Sequence, residues 1–248
     1  MSMKDYVLVT GAAAGLAKAV LKELSGEYNF ILADINYEKL KAIAEQYADN
    51  KPIIWEQDLT QIDSLESNLA NILKENDITV KKYVHCAGSL NMVPCKRIQS
   101  KHLLETYSVN VFSAALIIKA LTSRKVNKAA LDSAVLISSN GASRGVKAFA
   151  VYGSSKAAVD GLVRNLAVEL APAVRVNSIQ PGAMKTEMTA HMFNDPEYVQ
   201  RVEPKYPMGT GSPEKIAPMV RFLLSDDASW VNGQQIVIDG GRSIDITD

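Results

Sequence analysis

Histidine and cysteine are scarce in this chain. His85, His102 and His191 are the only histidines in 248 residues, and they form no H-x-x-x-H or H-E-x-x-H pattern. The two cysteines, Cys86 and Cys95, lack the spacing of metal ligands. No metal site is therefore expected, and both read as free thiols of a reducing, cytoplasmic compartment. An excess of one charge is missing too. The 27 basic and 27 acidic residues leave no overall field to favour nucleic acid or an anionic membrane. The start, Met1-Ser2-Met3-Lys4-Asp5, carries no signal-peptide apolar region, and no apolar run looks long enough to cross a bilayer. The expectation is a cytoplasmic protein without nucleic-acid or membrane partners.

What the chain does have is alternation. Hydrophobic residues at 47% and charged residues at 22% are ordinary for a globular fold. Short apolar runs predict strands at Tyr6–Thr10, Asn29–Ala33, Ile53–Glu56, Tyr83–His85, Ala134–Ser138, Val174–Ile179 and Ile236–Ile238. Between them, helix-period segments fall at Leu16–Leu24, Tyr37–Tyr47, near Ile62–Glu75, at Leu104–Ser123 and at Val151–Leu170. Strands that are apolar without alternation are covered on both faces. Repeated βα units imply a parallel sheet with right-handed crossovers. The stretch from Gly182 to Ser212 breaks the rhythm. Its methionines and aromatics suit an apolar lid over a ligand, and Met184, Met188 and Met192 suggest one short amphipathic helix.

Chemistry gathers in two places. The run Thr10-Gly11-Ala12-Ala13-Ala14-Gly15-Leu16-Ala17 links the first strand to the first helix. Glycines there let backbone approach a pyrophosphate, and the helix N-terminus supplies N–H donors. Asp34 closes the second strand, nineteen residues after Gly15. Its carboxylate is placed to accept hydrogen bonds from an adenosine ribose and to repel a 2′-phosphate. Neither Ala14 nor Ile35 offsets that repulsion, so NAD is expected over NADP. The second place is Tyr152 and Lys156, four residues apart and hence on one helix face. An ammonium beside a phenol favours the phenolate, which makes tyrosine a usable acid/base.

Together these residues resemble the short-chain dehydrogenase/reductase family over nearly the whole chain. The resemblance implies one Rossmann-type domain over residues 1–248, an α/β fold with a doubly wound parallel sheet of about seven strands and helices on both faces. Thr10–Ala17 is similar to the family's T-G-x-x-x-G-x-G, with Ala17 for the last glycine. Asp58 and Leu59 match its adenine-side aspartate segment, and Cys86-Ala87-Gly88 matches N-A-G with the asparagine lost. Pro181, Gly182, Met184 and Thr186 belong to the P-G-x-x-x-T segment that flanks the nicotinamide, and Ile238-Asp239-Gly240-Gly241 matches the closing V-D-G-G.

The resemblance also implies roles. Tyr152 would exchange the substrate proton, and Ser139, thirteen residues earlier, would position the substrate oxygen. Lys156 would bind the nicotinamide ribose and lower the tyrosine pKa. Asn110 would hold a water linking Lys156 to solvent. A homotetramer built on the two long middle helices and the last strand is the family's common assembly. The partner is a small alcohol or carbonyl compound. Two alternatives stay open: an NADP-dependent 3-oxoacyl-carrier-protein reductase, with Arg124, Lys125 and Lys128 as a docking patch, and a dinucleotide-binding regulator without turnover.

Overall fold

Side chains on successive strand residues point to opposite faces, and here both faces are apolar. Val7 and Val9 pack on one side and Leu8 on the other; Phe30 and Leu32 oppose Ile31 and Ala33 in the same way. Strands with this pattern can only be interior. The computed structural model describes residues 4–245; Met1-Ser2-Met3 lies outside them.

The elements run β1 Tyr6–Thr10, α1 Gly15–Leu24, β2 Asn29–Asp34, α2 Tyr37–Gln46, β3 Ile53–Glu56, α3 Leu65–Glu75 and β4 Val80–His85. Then come α4 Ser100–Tyr107, a π-helical turn Ser108–Phe112, α5 Ser113–Thr122, α6 Arg124–Asn127, β5 Ser133–Ile137, α7 Ala150–Glu169 and β6 Arg175–Pro181. The chain closes with α8 Ala190–Phe193, α9 Pro196–Val202, α10 Pro213–Leu224 and β7 Gln235–Ile238. All seven strands are parallel, in the order β3-β2-β1-β4-β5-β6-β7. This is the Rossmann-type doubly wound sheet. The strand order reverses between β1 and β4, which opens a crevice at their carboxyl ends.

The core lies in two layers. α1 and α10 cover one face through Leu16, Val20 and Leu24 on α1 and Ile216, Val220 and Leu224 on α10. α3, α5 and α7 cover the other through Leu65, Leu69, Ile117, Leu121, Val159 and Val163.

Four expectations need correcting. The sequence reading placed no helix between Ser212 and the last strand, yet α10 is there. Its buried stripe of Ile216, Ala217, Val220, Leu223 and Leu224 has helical spacing, and Pro213 at its first turn is a good helix start. Pro218, inside it, removes one backbone donor, and the helix runs on to Leu224. The long middle helix starts at Ser100, not Leu104, and carries the π turn. By length and mean hydropathy, 1.2, the continuous run Ser100–Thr122 is also apolar enough to span a membrane. In this fold Ala114, Ile117, Ile118 and Leu121 of that run are buried against the sheet. The Gly182–Ser212 stretch is not one helix. Met184 lies in an extended bridge with Gly211 and packs on the core, Met188 is exposed in a 3-10 turn, and Met192 is in α8. Thr186 caps the 3-10 turn with Thr189, which starts a new helical segment between the extended Met184 and Met188.

Candidate active site

The loop after β1 lies against the loop after β4. Gly11 has φ +64, and a Cβ on it would fall 2.7 Å from the Ala87 backbone. Ala14 donates to the Gly11 carbonyl at 3.0 Å, which closes the turn. α1 then begins with no side-chain cap and no acidic residue in its first turn, whereas Asn36 caps α2 by accepting from the Lys39 N–H at 3.0 Å. Over Gly15 the space is open, with Pro213 the nearest neighbour at 4.0 Å. An uncapped helix N-terminus under a glycine turn fits a diphosphate, so these residues suit a dinucleotide. Leu16 and Leu59 turn into the core.

Asp34 stands beside this loop and has a structural task. Its Oδ2 accepts from the Ala13 N–H and its Oδ1 from the Asn36 N–H, both at 3.1 Å. Ile35 next to it is exposed. Asp58 Oδ1 accepts from the Thr60 N–H and hydroxyl at 2.8 and 2.7 Å, which shapes the turn after β3. Cys86 donates its N–H to the Thr10 carbonyl at 3.2 Å, and Ala87 is buried.

Tyr152 and Lys156 lie on the first turns of α7, Ser139 just after β5, and Asn110 in the π turn. The structure brings all four to the carboxyl edge of β4 and β5. Lys156 is buried and donates its Nζ hydrogen to the Ile137 carbonyl at 2.8 Å. That nitrogen lies 5.7 Å from the Tyr152 ring centre. Gly88 faces both Asn110 and Lys156, since a Cβ there would sit 3.5 Å from Asn110 Oδ1 and 3.6 Å from Lys156 Nζ. Phe149 packs edge-on against Tyr152 at 5.4 Å.

Two implied roles change in this geometry. Burial pushes the Tyr152 phenol up to about 12, with the Ser139 hydroxyl acting against it. In the chain by itself, desolvation therefore outweighs the neighbouring ammonium. Burial also lowers Lys156 to about 8, while Asp160 and Cys86 hold it up. The side chain of Asn110 is fully engaged in the protein. Its Oδ1 accepts from the Ser89 N–H at 2.8 Å, and its amide donates to the Ser89 carbonyl at 3.2 Å and the Ser155 hydroxyl at 2.8 Å. It clamps the loop after β4 to α7, so a relay water held by this side chain would have to share atoms already in use.

At the far side, Pro181 ends β6 and Gly182 packs tightly. A Cβ on Gly182 would fall 2.8 Å from Asp239 and 2.9 Å from the Tyr206 ring. Thr186 caps the 3-10 turn that follows, Glu187–Thr189, with Thr189. Glu187 in that turn pairs with Lys18 of α1 at 3.1 Å and with Lys39 of α2 at 3.5 Å. Lys18, and then Lys39, hold its carboxyl below the usual range.

The family model described as enoyl-(acyl carrier protein) reductase matches residues 11–243. The chain is 31% identical over 242 residues to cyclopentanol dehydrogenase of Comamonas sp., covering 95% of each chain. It is 31% identical to the 3-oxoacyl-acyl-carrier-protein reductase of Aquifex aeolicus, covering 94% of this chain and 95% of the other. The chain belongs to the short-chain dehydrogenase/reductase family. The solved short-chain dehydrogenase/reductase of Brucella melitensis, a glucose/ribitol dehydrogenase, superposes with a TM-score of 0.87 at 27% identity over 97% of both chains. Like its relatives, this dehydrogenase/reductase is an oxidoreductase of alcohols and carbonyls that works with a nicotinamide dinucleotide.

Within the family frame, one buried network went unread in the sequence. Thr10 and His85 are register partners on β1 and β4. His85 is fully buried. Its Nε2 lies 3.1 Å from the Val109 carbonyl in the π turn, which can only accept, so Nε2 carries the proton. Nδ1 then has one lone pair to accept with, and the Thr10 and Tyr83 hydroxyls, at 2.9 and 2.7 Å, share it and pair with each other. A π turn loosens the helix ladder, and Val109 is served instead by His85 and by Ser113 Oγ at 2.7 Å. The network thus fixes the turn that carries Asn110.

Burial, and next the Lys156 charge, lower the His85 pKa to about 3. The sign of the stability effect follows. Above about 6.5 the imidazole is neutral folded and unfolded, so this group contributes no pH dependence. Between about 6.5 and about 3 only the unfolded chain takes up the proton, and stability falls with pH by up to about 1.4 kcal/mol per pH unit. Urea unfolding of wild type and His85→Gln at pH 7 and pH 5 should show the wild type losing more by about 2 kcal/mol. Equal losses would remove His85 as the cause.

Proposed function

We propose that this chain is an NAD-dependent short-chain alcohol dehydrogenase or ketoreductase in which Ser139, Tyr152 and Lys156 carry the proton chemistry. The observation that carries the reading is the convergence of these three side chains, with Asn110 beneath them, at the carboxyl edge of β4 and β5. Gly11, Ala14, Gly15, Asp34 and Gly88 would hold the dinucleotide along the same edge. When bound, its nicotinamide gives or takes the hydride.

The chain's own residues do the rest. Tyr152 in its neutral form donates a proton to a carbonyl oxygen; in its ionised form it takes one from an alcohol. The Lys156 ammonium favours the ionised form, and the Ser139 hydroxyl stabilises it further. Ser139 Oγ accepts from the Gly141 N–H at 3.0 Å, and its one hydrogen serves the Tyr152 oxygen or, in turn, the substrate oxygen. The intact set speaks against a regulator without turnover.

Cofactor choice rests on Asp34. Lys18 and Lys39, the lysines of the first turns on either side of it, are both paired with Glu187. That supports NAD, because the carboxylate keeps its repulsion of a 2′-phosphate. Titration calorimetry is expected to show NAD binding at least about tenfold tighter than NADP, a difference of about 1.4 kcal/mol. Asp34→Ala should narrow the ratio. The ratio is the readout because Asp34 also holds the Ala13 and Asn36 backbone. Equal affinities in the wild type would favour the NADP-dependent 3-oxoacyl-carrier-protein reductase reading.

The reading extends to a cytoplasmic homotetramer. Supporting it are exposed apolar residues on the proposed contact elements: Leu104 on α4, Val168 on α7 and Val237 on the edge strand β7.

A further inference from the structure

α7 carries a third polar residue in register with its first two. Tyr152, Lys156 and Asp160 follow at intervals of four and share one helix face. Asp160 is buried, 5% exposed. A buried carboxylate is costly unless it is paired or well hydrogen-bonded. Its two oxygens accept only from neutral donors on β6, the Ser178 hydroxyl and the Gln180 amide, each at 2.7 Å. Among the described residues no ammonium or guanidinium lies within 4.0 Å of it. One turn away sits an equally buried lysine that donates to a neutral acceptor, the Ile137 carbonyl. Each of these two charges is the other's nearest buried opposite along the helix.

We infer that Asp160 is the counter-ion that keeps Lys156 charged inside the site. It is a positioning residue: it acts through Lys156 and is anchored to β6, away from the substrate oxygen. The other titratable groups facing Lys156 are Tyr152 on α7, His85 at the end of β4 and Cys86 just after it. Burial keeps His85 neutral and pushes the Cys86 thiol up to about 12, so neither offers a negative charge near neutrality. Asp160 is the first cause that raises Lys156 against its burial. Ser178 and Gln180 hold the carboxylate in place without neutralising it.

A purely structural role is the competing account, since Asp160 also ties α7 to β6. Two variants separate them. Asp160→Asn removes the charge and can keep contacts to β6. Ser178→Ala breaks a contact and keeps the charge. Protein carrying ε-13C-labelled lysine is titrated by NMR, with the Lys156 signal assigned by its loss in Lys156→Met. In the wild type that signal should titrate near 8. In Asp160→Asn it should titrate lower by about one pH unit or more, and in Ser178→Ala at the wild-type position. The pH at which NADH affinity falls, read by NADH fluorescence, should move with it. Were Asp160→Asn to misfold, Asp160→Glu moves the carboxylate by one methylene, and any displacement of the Lys156 titration supports the coupling. An unmoved Lys156 signal in the charge variant, or an equal displacement in Ser178→Ala, overturns the inference. The inference rests on Lys156 as the active-site cation, and the two fail separately. The NMR titration needs no cofactor or substrate, whereas that reading is lost if Tyr152→Phe keeps its turnover.

Discussion

Tyr152→Phe is expected to lower turnover by about two to four orders of magnitude, the range for removing a positioned acid/base, while dinucleotide affinity stays within about twofold. Only the oxygen is lost. The ring keeps its edge-on packing against Phe149 and its place near the Lys156 nitrogen, so the variant should fold and bind. Lys156→Met should harm both turnover and binding, because that ammonium serves the phenol and the proposed ribose contact. The substrate for the assay comes from a screen of alcohols, sugars and acyl thioesters with NAD or NADH. Oxidation should accelerate with rising pH and reduction should slow, since the first needs the ionised phenol and the second the neutral one. Near-normal turnover in Tyr152→Phe would sink the proton-transfer role.

The parts of this site legible in the sequence are those set by local spacing. Tyr152 and Lys156 share a face because four residues make about one turn. The Gly11 turn was readable because glycines fall where a strand hands over to a helix. What stayed hidden depends on tertiary surroundings. A neighbouring lysine gives the sign of one influence on Tyr152, but burial, which the sequence does not display, sets the net direction. The π turn at Asn110 adds one residue to a helical turn, and hydrophobic spacing near three and four tolerates that without a visible break. Pro218 lies inside α10 and does not end it. Met184, Met188 and Met192 keep helical spacing across a boundary that Thr186 marks as the cap of the 3-10 turn. The spacing of Asp34 points to a ribose, and its oxygens also fasten the glycine turn to the start of α2.

Gly11→Ala should be the most damaging single methyl in the protein. The position demands a left-handed backbone, φ +64, which costs an L-residue about 1–2 kcal/mol. The new carbon would also sit 2.7 Å from both the nitrogen and the Cα of Ala87 and 3.1 Å from the Cys86 carbonyl carbon. Those are backbone atoms with no rotamer to yield, so the loop after β1 must move away from the loop after β4. Overpacking of this kind adds about 1–3 kcal/mol, for a total loss of about 2–5 kcal/mol. Two functional features move together in that shift. Gly11 holds the turn that opens α1, where the proposed diphosphate site lies, and Ala87 leads into Gly88, which faces Asn110 and Lys156. Urea unfolding should report the stability loss, and calorimetry should find NAD affinity reduced by at least about a hundredfold, about 2.7 kcal/mol. A control at Gly26, where a Cβ would meet nothing within 4 Å, should leave affinity unchanged. Wild-type NAD affinity in Gly11→Ala would show that the close approach of these two loops is packing alone and that the dinucleotide does not lie across it.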